Sequence, residues 1–174
     1  SGIYSEAPRN QGFGRTVAIN NVGTSIAIAG PQISGSPMTD IPLEWRGQTF
    51  TRTVNGAVYT YDWNPSTLSW DQFGNKIVGD HYYSNLGFDL DLNDDGSVLA
   101  VSAPTPAYYF PSGYVAVYDR SGSNWSLKGS KIYGSGDANG RFGFSISLNS
   151  AGDRLAISAP LASYSGIQVT GAHY

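Results

Sequence analysis

One sequence motif occurs three times in this chain of 174 residues. The copies begin at Phe13-Gly14, Leu86-Gly87 and Phe142-Gly143 and end at Pro31, Pro104 and Pro160. Internal repetition at this spacing specifies a repeat architecture before any single residue is considered. Within each copy the first segment alternates. Val17 and Ile19, Leu90 and Leu92, and Ile146 and Leu148 fall on one face. Thr16 and Ala18, Asp89 and Asp91, and Ser145 and Ser147 fall on the other. Period-two alternation predicts strands. Gly23, Gly96 and Gly152 then mark a tight turn, where a positive φ is expected. The next segment pairs bulky residues (Ile26/Ile28, Leu99/Val101, Leu155/Ile157) with a small face at Ala27, Ala100 and Ala156. Such a sheet can be covered on both sides by neighbouring sheets.

A third strand follows a glycine in each copy: 57–62 after Gly56, 114–119 after Gly113, and 167–170 after Gly166. A fourth runs from Trp70 to Gly79 and from Trp125 to Gly134. Four short antiparallel strands per unit, repeated, are the pattern of a β-propeller blade. The expected fold is therefore all-β, a single propeller segment over 1–174 with about three four-stranded blades. Residues 32–55 form an insertion in the first unit. Helical periodicity is absent.

Composition narrows the functional classes. Charged residues are only 13% and the net charge is −3, so no electrostatic case exists for nucleic acid or an anionic membrane. No apolar run reaches the roughly 20 residues of a membrane-spanning helix. The absence of cysteine excludes disulfides and thiolate metal sites. The chain opens on Ser1 with no leader-like segment, which reads as a processed chain or a piece of a longer one. Asn124-Trp125-Ser126 is the one N-glycosylation sequon.

The units resemble FG-GAP-type repeats, the blades of integrin-α-like propellers. They are more similar to a variant found in secreted and surface proteins of unicellular eukaryotes and microbes. Trp70-Asp71-Gln72-Phe73-Gly74-Asn75-Lys76-Ile77-Val78-Gly79 follows its W-x-Q-x-G-x-x-I-x-G motif, and Leu99 to Pro104 its L-A-V-x-A-P motif. The resemblance covers nearly the whole chain outside the insertion. It implies an extracellular or cell- or particle-surface location. It does not name a function, because propellers host many activities.

Asp91-x-Asn93-x-Asp95-Gly96 matches the start of a calcium loop. Integrin-type blades close such a loop with a later Asp, and here Ser97, Val98 and Leu99 occupy the closing positions. The competing expectation is a tight Asp-Gly hairpin with Asp91 pointing into a blade interface. For Asp89 and Asp91 on the inner strand the expectation is hydrogen bonding to neighbouring Ser, Thr or backbone, the alternative being a cation or polar ligand near the propeller axis. No cofactor is expected; calcium at Asp91, Asn93 and Asp95 is the candidate considered. His81 and His173 fall in different units, and no nucleophile–base arrangement is recognisable, so the chain reads as non-catalytic.

Loops after the second strand and connectors between blades are expected to emerge at one end. That end would carry Trp45, Arg46, Phe50 and Arg52 from the insertion, Tyr108, Tyr109 and Phe110 from the next loop, and Tyr164 from the last. The connector adds His81, Tyr82 and Tyr83. Aromatic residues with Arg form protein interfaces and sugar-stacking sites; the alternative is that these rings pack over their own blade. Ile3 and Tyr4 resemble a fourth strand, and the last unit lacks one. Pairing of Ile3 and Tyr4 with Ile167 and Val169 of another copy, or of a continuation of the chain, is therefore expected. The reading is a structural or adhesive module with protein partners, including copies of itself. The alternatives are a lectin and a propeller-fold hydrolase or lyase.

Overall fold

Strands and turns, with no helix, make up the described part of the chain. The computed structural model describes residues 12–30, 43–45, 48–50, 56–80, 84–104, 113–134, 140–162 and 172–173. In the first unit β1 (Thr16–Ile19) and β2 (Ser25–Gly30) form a hairpin. The insertion follows, holding a separate hairpin of β3 (Leu43–Trp45) and β4 (Gln48–Phe50). β5 (Ala57–Asn64) and β6 (Ser69–Val78) complete an antiparallel sheet in the order β1-β2-β5-β6. The second unit repeats this with β7 (Leu90–Leu92), β8 (Val98–Ala103), β9 (Tyr114–Ser121) and β10 (Asn124–Leu127), and β11 (Ile132–Tyr133) also pairs with β9. The third unit contributes β12 (Ile146–Leu148), β13 (Leu155–Ala159) and β14 (Ala172–His173). β13 pairs with β14, and the strand expected at 167–170 lies outside the described residues. The described sheets do not close into a ring.

The first hairpin turn of each unit has the same chemistry. Asn20 Oδ1 accepts the N–H groups of Thr24 and Ser25, Asn93 Oδ1 that of Val98, and Asn149 Oδ1 those of Asp153 and Arg154. The short amide side chain replaces the backbone partners that a turn cannot supply. Gly23, Gly96 and Gly152 follow with φ of 71°, 73° and 70°, the left-handed region that glycine adopts without a Cβ clash.

The sheets stack bulky face against small face. Leu90 and Leu92 join Ala27, Ala29, Val58, Leu99 and Val101 in one core between the first and second sheets. Ile146 and Ile157 join Ala100 and Val115 in a second core between the second and third. Alanine on one sheet leaves the depth that leucine or isoleucine on the next fills, so the layers interdigitate. Burying each Leu side chain at such a joint contributes about 1.5–3 kcal/mol. The first unit differs. Val17 and Ile19 occupy the positions of Leu90 and Leu92, yet they are 63% and 60% exposed. No described sheet packs on their face.

Candidate functional site

The polar chemistry of the described residues is concentrated where one sheet meets the next. At the outer part of the first joint, Arg120 extends from β9 toward the first sheet. Its guanidinium makes a forked pair with Asp62 on β5, with nitrogen–oxygen distances of 2.9 and 2.6 Å. It also donates to the hydroxyl of Ser25 on β2 and to the carbonyl of Gly96. The Phe73 ring of β6 lies 3.9 Å from the guanidinium carbon, and the Trp125 ring lies 5.3 Å from it. Trp125 donates through Nε1 to Thr60 Oγ1 at 2.8 Å, and the Thr60 hydroxyl donates in turn to the Phe73 carbonyl. A planar cation that forks to a carboxylate and stacks on rings is a role that lysine cannot fill. Partial burial alone would raise the Asp62 carboxyl. The hydrogen bonds from Arg120 and Ser25, with the charge of Arg120, outweigh it and hold the carboxyl below the usual carboxylate range.

Along the inner strands the second joint uses carboxylates. Ile146 and Leu148 pair with β13 in a register that turns their N–H groups outward from the ladder. Asp89 Oδ2 accepts the Ile146 N–H and Asp91 Oδ2 accepts the Leu148 N–H, each at 2.8 Å. The other oxygens serve their own strand: Asp89 Oδ1 accepts from Leu90 N–H and Asp91 Oδ1 from Leu92 N–H. Ser147 Oγ also donates to Asp91 Oδ2. Each carboxylate thus bridges the edge N–H groups of two adjacent sheets. Donors that would otherwise mark an open edge are satisfied without a further strand.

This geometry assigns the candidate calcium ligands individually. Asp91 is held in the joint, Asn93 clamps its turn, and Asp95 Oδ1 accepts the Ser97 N–H in the exposed turn. Hydrogen bonds from the Ser97 hydroxyl and N–H keep the Asp95 carboxyl below its ordinary range. Among the described residues no group of three or more His, Asp or Glu is gathered as a metal site. Asn124 opens β10 at the first joint, where its Oδ1 accepts the N–H groups of Asn75 and Trp125.

The stems of the expected aromatic face lie together. Gly79 N–H bonds Gly56 carbonyl and Gly134 N–H bonds Gly113 carbonyl, so each connector starts beside the third strand of its own unit. Gly56 abuts Leu86 and Gly113 abuts Phe142, which brings the start of the next unit to the same place. Beside Gly134, Lys131 pairs with Asp80 and lies 4.7 Å from the Tyr114 ring centre; burial lowers its pKa from the usual lysine value. Trp45 ends β3 and Phe50 ends β4. Arg46, Arg52, His81, Tyr82, Tyr83, Tyr108, Tyr109, Phe110 and Tyr164 lie outside the described residues, as do Ile3, Tyr4, Ile167 and Val169.

Reading the sequence alone overlooks two elements of these joints. The asparagines at 20, 93 and 149 form a column in the aligned copies and could have been recognised as turn clamps. Arg120 has no counterpart in the first unit, where Trp63 holds the position, so repetition offers no signal for it. Among the described residues no helix is long and apolar enough to cross a membrane. No protein-family profile matches the chain, and no curated protein matches it.

Proposed function

We propose that this chain is a non-catalytic structural or adhesive module: a segment of an FG-GAP-like β-propeller with about three blades, extracellular or at a cell or particle surface, that associates with copies of itself or other proteins. One observation carries the reading. Asp62, Asp89, Asp91 and Arg120, charged groups between the sheets, each hold one sheet against the next. Groups fixed in this way gain a mechanical role and lose the freedom to exchange protons with a substrate. The antiparallel meander, with the same strand order in the first two units, supports the blade assignment. In this reading the module associates through unpaired strand edges or the aromatic loop end.

Two measurements together test the reading. Light scattering over a range of concentrations is expected to give a mass above that of one chain. A glycan array, probed with and without calcium, is expected to show no saturable binding. Saturable, sugar-specific binding by a chain that stays monomeric would replace the module with a lectin.

A further inference from the structure

Equivalent positions in the three units form a row across the joints. Arg15, Phe88 and Phe144 each precede the first strand of their unit. The Arg15 guanidinium lies 5.2 Å from the Phe88 ring centre, and the Phe88 and Phe144 ring centres are 5.4 Å apart. One position further on, the Thr16 hydroxyl donates to the Phe88 carbonyl at 3.0 Å. At the inner strands the first joint thus carries a hydroxyl contact, the second the carboxylates of Asp89 and Asp91.

Both ends of this stack are exposed, and at the Phe144 end the Arg141 guanidinium lies 6.0 Å from the ring centre. At one end Arg15, Val17, Ile19 and Val22 are exposed, Val22 at 67%. At the other, Phe144 is 38% exposed, and Ser145, Ser147 and Ala156 are exposed. The turn glycines show the same contrast. A Cβ placed on Gly96 or Gly152 would meet the preceding sheet at Ser25 or Val98, whereas one on Gly23 would meet nothing within 4 Å. The outer face of the first sheet therefore has the form of the two covered faces without a cover.

We propose that this cover is the third sheet of a second copy of the chain, docked head to tail. Val17, Ile19 and Val22 of one copy pack on the small face at Ser145, Ser147 and Ala156 of the other. Arg15 of the first copy lies over the Phe144 ring of the second, as Arg15 lies over Phe88 within the chain. The Ser145 hydroxyl donates to the Arg15 carbonyl of the neighbouring copy, as Thr16 donates to Phe88. The contact continues the two joints within the chain. Its surfaces differ, so it propagates into a closed ring or a filament. This inference rests on the assembling-module reading, but it places assembly on sheet faces and not on strand edges.

Sedimentation velocity from about 5 to about 500 µM provides the test, a range that brackets a modest affinity. Wild-type chain is expected to shift from monomer to multimer. Ile19→Glu and Ala156→Glu, both at exposed positions, are each expected to remain monomeric with unchanged circular dichroism and melting temperature. Mixing the two restores one good face on each partner and is expected to give a dimer and nothing larger. Arg15→Ala is expected to weaken association about tenfold. Glutamate variants that assemble like wild type, or a mixture that stays monomeric, would overturn the proposal. If assembly survives both glutamates but is lost on removing residues 1–7, the face contact is wrong and edge pairing stands. A chain that is monomeric throughout removes both.

Discussion

Replacing Arg120 by alanine tests the energetics of the joints most fully. The guanidinium gives a forked pair to Asp62, further hydrogen bonds to Ser25 and Gly96, and stacking on Phe73. A hydrogen bond to a charged group is worth about 1.5–3 kcal/mol, and a partly desolvated cation–π contact about 0.5–2 kcal/mol. These do not add in full, because the Asp62 side chain is 36% exposed and water screens the pair. The expected destabilisation is about 2–3 kcal/mol, a fall of roughly 5–10 °C in Tm for a domain of this size. Arg120→Lys keeps the charge but loses the fork and the planar stacking, and should recover less than half of that, about 1 kcal/mol. The pH dependence follows from Asp62, whose carboxyl is depressed in the folded chain. Its contribution is complete above the unfolded value near 4 and is lost as pH falls through the folded value. The difference between wild type and Arg120→Ala should therefore be constant from pH 7 to about 5 and shrink below about 4. Urea unfolding at pH 7, 5 and 3 measures it. A cost below about 0.5 kcal/mol at pH 7 would refute the reasoning, because that is the cost of an ordinary surface substitution.

Four further outcomes follow. Leu90→Ala should cost about 2–4 kcal/mol, while Val17→Ala, at the same repeat position but exposed, should cost the monomer under about 0.5 kcal/mol; chemical unfolding at low concentration checks both. Gly87→Ala should be more damaging than Gly14→Ala by calorimetry. Both glycines have positive φ, but a Cβ at Gly87 would lie 2.5 Å from Ala29 Cβ while one at Gly14 meets nothing within 4 Å. Asp91→Asn leaves one of the Leu92 and Leu148 N–H donors facing an NH₂ in place of an acceptor oxygen, and should cost about 1–2 kcal/mol in denaturant titration. Chelation should move Tm by no more than about 1 °C, since Asp91 and Asn93 already accept backbone N–H groups; a large calcium-dependent rise abolished by Asp95→Ala would contradict this.

What the sequence makes legible and what it hides have physical reasons. Alternation at Leu90/Leu92 and at Leu99/Val101, with Gly96 between them, predicts β7 and β8 because side-chain period and turn chemistry are local properties. The third strands at 57–62 and 114–119 are legible for the same reason. Exposure is not local: Val17 and Leu90 share a pattern, and only the neighbouring sheet makes one exposed and the other buried. Asp89 and Asp91 invite a cation by composition alone. Their actual partners, Ile146 N–H and Leu148 N–H, lie in another unit, and no spacing rule brings the two together. Arg120 is hidden for the same reason, since its carboxylate comes from the preceding unit.

Hydrogen exchange at Ile146 and Leu148 tests the central claim most directly, that polar side chains fasten each sheet to the next. Their amides face away from their own sheet and depend on Asp89 and Asp91 for partners. In wild type both should exchange at least about tenfold more slowly than an unprotected amide, and in Asp89→Ala/Asp91→Ala, which removes both acceptors, that protection should collapse while Ser147, bonded within the β12–β13 ladder, stays protected. Wild-type amides at 146 and 148 that exchange at the unprotected rate, or protection that survives the double substitution, would contradict the account.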